Sequence, residues 1–95
     1  MRMTAKETIE QGRAWIEANP KAWQTLKDSA REAAGLHPGR ELRIAYYIEM
    51  IRATQHVKTP NAIQPYLSRR IEQEVPGVRF TKSKSKLNLL MAGDA

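Results

Sequence analysis

The sequence predicts a mainly α-helical single domain of about four helices, ending in a two-stranded ribbon, in the element order of a winged helix-turn-helix. Three observations lead there. Apolar residues recur at three- and four-residue spacing through separate stretches divided by Asn19–Pro20, the Gly35–Arg40 loop and Thr59–Pro60. After Pro76–Gly77 the period changes, Val78 and Phe80 alternating with Arg79 and Thr81 before a polar run and the apolar "LNLLM" at 87–91. At 95 residues, the chain suffices for one modest core. A plain helical bundle with a frayed tail is the alternative.

The first helix opens at Thr4–Glu7, a T-x-x-E capping box, and carries Ala5, Ile9, Gly12 and Ile16 at helical spacing. It should stop at Ala18, because Asn19 can cap a new helix and Pro20 suits a first turn, where its missing N–H costs nothing. Trp23, Leu26, Ala30 and Ala33 form the apolar face of that second helix, which should end at Gly35. The third begins near Leu42 with Ile44, Ile48 and Ile51 in one stripe, and Glu49 and Arg52 on neighbouring polar positions. "TQHVKTP" (54–60) breaks the pattern before Pro60. A fourth helix carries Ile63, Tyr66, Leu67 and Ile71, and Pro65 requires it to begin no earlier than Asn61. The organisation is thus 1–35 as two N-terminal helices and 42–91 as a helix-turn-helix-like pair plus a basic hairpin, within one domain spanning 1–95.

Charge gives the first functional pointer. The net charge is +6, and between Arg52 and Lys86 eight cations face only Glu72 and Glu74, so this stretch holds all of it. A one-sided basic balance suits a polyanion, against the plainer reading of solubility. Hydrophobic content of 41% and charged content of 27% argue against wholesale disorder. No run approaches the length of a membrane span, "MRMTAKETIEQ" has no apolar signal stretch, and there is no Cys, which together lead us to expect a cytoplasmic protein without membrane contact.

The pair of helices and the "RFTKSKSKLN" segment (79–88) supply the candidate interface. In a winged helix-turn-helix the second helix enters the major groove while the hairpin lies along the backbone. Arg69 and Arg70 are adjacent and cannot share one helix face, so one would reach bases and the other phosphate, with Asn61 and Gln64 near the helix start. Arg79, Lys82, Lys84 and Lys86 would touch phosphates, the three lysines sharing one face if extended. These eight residues are the expected nucleic-acid-binding set, all five of Arg69, Arg70, Lys82, Lys84 and Lys86 being expected in solvent. The competing reading is a solvated helix face in which Arg69 pairs with Glu72 or Gln73, and a connector longer than a tight helix-turn-helix turn favours it. Apolar residues on both sides of the Lys/Ser run favour an ordered loop over a tail. Trp15, Trp23, Tyr46, Tyr47 and Tyr66 are candidate stacking groups, but Trp23 lies on a core stripe, and Tyr46 and Tyr47 point about 100° apart, which leaves room for one of them to be exposed but carries no argument.

Enzyme chemistry finds no foothold. His37 and His56 occupy separate loops, no Ser/His/Asp spacing recurs, and no glycine-rich phosphate loop is present, so neither catalysis nor a metal or other cofactor is expected.

The segment "NAIQPYLSRRIEQEVPGVRFTKSKSK" resembles a group of small phage and prophage proteins of Gram-positive bacteria that read N-x-x-x-P-x-x-x-R, then a proline, then F-x-x-R-x-S-K. Asn61, Pro65, Arg69 and Pro76 meet the first part; Phe80, Ser85 and Lys86 meet the second, with Ser83 where the group usually has Arg. The upstream "ANPKAW" and "IEMIR" look like further parts of that pattern. The resemblance implies a phage-type accessory protein; with the element order and charge described above, we expect it to be winged-helix-like and non-enzymatic and to act in the host cytoplasm on double-stranded DNA. The alternative is a protein-binding inhibitor or modulator of a host nucleic-acid enzyme, in which the same cations meet an acidic partner surface. A homodimer would enlarge the small interface of one domain, although no heptad seam specifies it.

Overall fold

A computed structural model describes residues 4–81. Four α-helices follow one another, α1 (Ala5–Ala18), α2 (Pro20–Leu36), α3 (Ile44–Gln55) and α4 (Gln64–Glu74), with one 3-10 turn (Asn61–Ile63) leading directly into α4. The mainly helical architecture is as the spacing requires.

The local signals act where expected, with two informative shifts. Thr4 Oγ1 accepts from the Glu7 N–H at 3.1 Å while the Glu7 carboxylate accepts from the Thr4 N–H, closing the capping box. Pro20 sits in the first turn of α2, but Asn19 does not cap that helix with its side chain. Its amide instead donates to the Trp15 carbonyl at 3.0 Å, satisfying the last turn of α1. In α1 the buried line is Thr8, Gly12 and Trp15, with Ala5, Ile9 and Ile16 packed at its margins. The missing side chain at Gly12 is what the fold uses: a Cβ there would overlap Tyr66 Cδ2 and stand 2.7 Å from its Cε2. The 3-10 turn absorbs the restriction imposed by Pro60 and leaves Pro65 in the first turn of α4.

Helix α4 is the centre of the domain, packing against α1, α2 and α3 alike. Four consecutive residues, Tyr66, Leu67, Ser68 and Arg69, are buried on it together with Ile71, a distribution that only a helix covered on most sides can show. Trp23, Leu26 and Ala30 of α2 and Tyr47, Ile48 and Ile51 of α3 complete the core, closed by Val75, Val78 and Phe80.

Past α4, the Val75–Pro76–Gly77–Val78 turn has Gly77 at φ 87°, as the third residue of a type II turn requires. The chain then runs parallel to residue 42. The Leu42 N–H donates to the Arg79 carbonyl at 2.8 Å and the Thr81 N–H to the Leu42 carbonyl at 2.9 Å, forming one isolated bridge between Leu42 and Phe80. This corrects the expected ribbon: among the described residues there is no strand, and residues 78–81 pair with the loop before α3. Lys82, Lys84, Lys86 and the apolar 87–91 segment, the remainder of that ribbon, lie outside the described residues. Leu42 itself belongs to this bridge, so α3 starts two residues later than its apolar pattern suggests.

Candidate nucleic-acid interface

The expected recognition arginines belong to the interior. Arg69 is only 6% exposed, and its guanidinium donates to the Pro65 carbonyl at 2.9 Å, one turn back along α4. Burial lowers its pKa from the ordinary arginine value, against the opposing influence of Glu72. The expectation that Arg69 stands in solvent is therefore wrong, for the reason that makes α4 central: three other helices pack around it. Its apolar stem packs while its head finds a carbonyl.

Arg70 is half-buried and engaged. Its Nε donates to Glu74 Oε2 at 2.6 Å and its NH1 to the Tyr66 hydroxyl at 3.3 Å. The hydrogen bond to Glu74 raises its pKa, outweighing desolvation. Glu74 also receives Lys27 of α2 at 3.2 Å, and that ammonium lies 5.5 Å above the Trp23 ring. This network ties α2 to α4. Gln64 donates to the Asn61 side chain at 3.0 Å, so the two amides at the helix start hold each other. The outward side of the last turn of α4 presents Gln73 and Glu74, with Glu72 beside them half-buried, an acidic face poorly suited to enter a groove.

Of the expected set, Arg79 is exposed, and the bridge gives it new company. Leu42 and Phe80 turn inward, so their neighbours turn outward on one face: in the parallel pairing Arg79 stands across from Glu41 and Arg43 across from Thr81, with Arg40 just before them, and all three arginines are exposed. Among the described residues, no ion pair engages these three arginines. Thr81, whose hydroxyl lies 3.3 Å from Glu41 Oε2, passes the chain directly to the Lys82–Lys86 run. A shallow recess of about 420 Å³ lies beneath, lined by Glu41, Glu72, Arg79, Phe80 and Thr81. Glu72 is occupied there, accepting from the Phe80 N–H at 2.8 Å and so fixing the bridge to α4.

An aromatic file runs through the same edge. Phe80 meets Tyr47 edge-on with ring centroids 6.0 Å apart, and Tyr47 meets Tyr46 at 5.2 Å. Tyr47 is buried, and burial, followed by the neighbouring Tyr46, raises its pKa. Tyr46 is 70% exposed, one turn from Arg43. Trp15, Trp23 and Tyr66 are buried and offer no stacking surface.

Sequence reasoning missed Arg40 and Arg43. No local signal marks them, because they join Arg79 only through a pairing between distant parts of the chain. The described residues contain no cluster of three or more metal-ligating side chains and no helix long and apolar enough to cross a membrane. No protein-family model, curated protein or solved structure matches the chain.

Proposed function

We propose that this protein is a non-catalytic accessory protein of phage type that binds double-stranded nucleic acid through the edge formed by Arg40, Arg43 and Arg79, continued by Lys82, Lys84 and Lys86. The observation that carries the reading is the Leu42–Phe80 bridge. It brings Arg43 and, diagonally across from it, Arg79, from two distant segments, onto one outward face just ahead of the lysine run in the chain. Such an edge contacts phosphates, which supply affinity and orientation but no base sequence. Because Arg69 and Arg70 are held within the fold, binding is expected to be nearly independent of sequence. Titration with random-sequence duplex over a salt series tests this: affinity should fall with a log–log slope of about −0.9 per phosphate neutralised. Absence of binding at low salt defeats the proposal.

One observation favours a second reading, in which the edge meets an acidic surface on a host nucleic-acid enzyme. Tyr46 and Leu36, 70% and 69% exposed, give α3 and the end of α2 large apolar groups in solvent. Tyrosine beside arginine is the composition of protein-binding hot spots. In that case Tyr46→Ala would abolish partner binding, whereas duplex affinity would keep its value.

A further inference from the structure

At the opposite end of α3 from the bridge, we propose a binding site for a phosphate group, either free or at the end of a nucleotide-sized ester. The cleft there, of about 620 Å³, is lined by Arg52, His56, Lys58, Thr59 and Pro60. Among the described residues, its lining brings together a guanidinium, an ammonium, an imidazole and a hydroxyl, and no carboxylate. Such a set donates hydrogen bonds and carries positive charge, which is the chemistry of an oxyanion site.

Thr59 supplies the independent observation. It is 5% exposed, and its Oγ1 is the buried side-chain polar atom that has no hydrogen-bond partner among the described residues. Burying a hydroxyl without a partner is unfavourable, so native structures rarely leave one unless something else fills the gap. A ligand oxygen entering the cleft would fill it.

The connector that forms the wall is held in place. The Trp15 indole of α1 donates to the Lys58 carbonyl at 3.0 Å, and the His56 N–H donates to the Arg52 carbonyl at 3.1 Å. His56 sits at φ 56°, a left-handed conformation in which a non-glycine residue is uncommon. Together these bonds set Lys58 and Thr59 beside Arg52 before any ligand arrives, which lowers the ordering cost of binding. The carbonyl end of α3 repels an anion, so attraction has to come from Arg52 and Lys58. Arg52 is also paired with Glu49 at 3.1 Å, but both side chains are more than half exposed, and a pair of that kind holds weakly. Glu49 is thus a competitor that the ligand displaces.

The cleft is separate from the proposed duplex-binding edge. Arg43 precedes the first residue of α3 and His56 follows the last, and the helix of 12 residues between them is about 18 Å long at 1.5 Å per residue.

Amide-resolved NMR titration of the whole chain with inorganic phosphate, and separately with adenosine 5′-monophosphate, tests the site. Saturable shifts at the amides of His56, Val57, Lys58 and Thr59 are expected, with Kd of about 1 mM or tighter for one of the two probes. Tighter binding of the nucleotide identifies an ester site; equal or tighter binding of phosphate identifies a site for the free ion. Arg52→Ala and Lys58→Ala should each weaken binding roughly tenfold. Glu49→Gln should strengthen it, and Thr59→Val should weaken it without lowering Tm, since the hydroxyl has no partner to lose. The proposal is overturned if chloride at matched ionic strength reproduces the shifts, if the shifts map elsewhere, or if Arg52→Ala and Lys58→Ala leave Kd unchanged. Duplex binding through the bridge arginines enters none of these readouts, so either proposal can fail while the other stands.

Discussion

Arg69 on α4 is 6% exposed and bonded to a main-chain carbonyl, whereas Arg43 and Arg79, flanking the Leu42–Phe80 bridge, face solvent. Both regions carry arginines, and they put them to opposite uses. On α4 the guanidinium groups fasten the central helix, Arg69 to its own first turn and Arg70 to Glu74 and Tyr66. At the bridge, the main chain makes the attachment through the Leu42 and Thr81 N–H groups, leaving the side chains available for a partner. A cation contributes to binding only where something else holds the fold together. Substitutions on α4 should therefore act on stability, and those at the bridge on binding.

The largest expected effect is at Gly12, where α1 lies against the Tyr66 ring of α4. Alanine is intrinsically the better helix former by about 1 kcal/mol. Here the added Cβ overlaps a ring that is 1% exposed and has no room to retreat. Overpacking of this kind costs about 1–3 kcal/mol, occasionally more. An overlap with three atoms of the ring belongs at the top of that range, so Gly12→Ala should destabilise the domain by roughly 2 kcal/mol net in urea unfolding. A neutral or stabilising result would mean that α4 is not as tightly enclosed as described.

Arg69→Ala comes next, with an expected loss of about 2 kcal/mol from removed packing and a removed hydrogen bond. Arg69→Met should recover part of that loss by restoring the stem. Both variants, measured where they remain folded, should bind random duplex like the parent. A selective loss of duplex affinity with unchanged stability would reverse the roles assigned to the two regions.

Helix limits were legible in the sequence because their signals are local. The Thr4–Glu7 box, Pro20 and the Trp23–Leu26–Ala30 stripe each act within a turn or two of themselves. The basic character of 52–86 was legible as well. Which cations remain exposed was not, since that depends on how many helices surround α4. "RIEQE" reads as a solvated surface, and only the packing of three other helices draws the neighbouring Arg69 inside. The bridge was equally hidden: the alternation over 78–81 signals an extended segment but carries nothing that selects Leu42 as its partner. Tyr46 and Tyr47 were the intermediate case, where helical geometry separated them and left open which one faced water.

A smaller effect separates Arg70 from its neighbour through pH. Burial pushes the Glu74 carboxyl up, but the hydrogen bonds from Arg70 and Lys27 and their charges outweigh it and hold its pKa below the ordinary 4.5. A carboxyl lowered in the folded state stabilises the protein fully at neutral pH, and that contribution disappears as pH falls through and below the ordinary carboxylate range. Because Glu74 is a third exposed, the contribution should stay within about 1 kcal/mol. In Arg70→Ala, stability should lie below the parent's at and above pH 6, about two units beyond the carboxylate range, and converge on it in acid, so that the acid limb of the stability–pH curve is shallower. An unchanged acid limb would mean that Lys27 alone maintains the shift.

The smallest stability effect belongs to the bridge arginines, and there the comparison is sharpest. Arg43→Ala and Arg79→Ala remove solvent-facing side chains, while the hydrogen bonds of the bridge come from main-chain groups of Leu42, Arg79 and Thr81, which alanine keeps. Each substitution should therefore change stability by no more than about 0.5 kcal/mol. Removing Arg79 also leaves Glu41 and Glu72 in the recess without the cation that shares it, so any change should be slightly larger there than at Arg43. Duplex affinity should fall in both, and the log–log salt slope should flatten by about 0.9 for each phosphate that is no longer neutralised. The double variant should flatten it twice as much, because independent phosphate interactions add. Were both variants to keep the parental slope while Tyr46→Ala abolished capture of an acidic protein partner, the edge would be a protein-binding surface. Its arginines would then act by charge complementarity at the rim around an aromatic anchor.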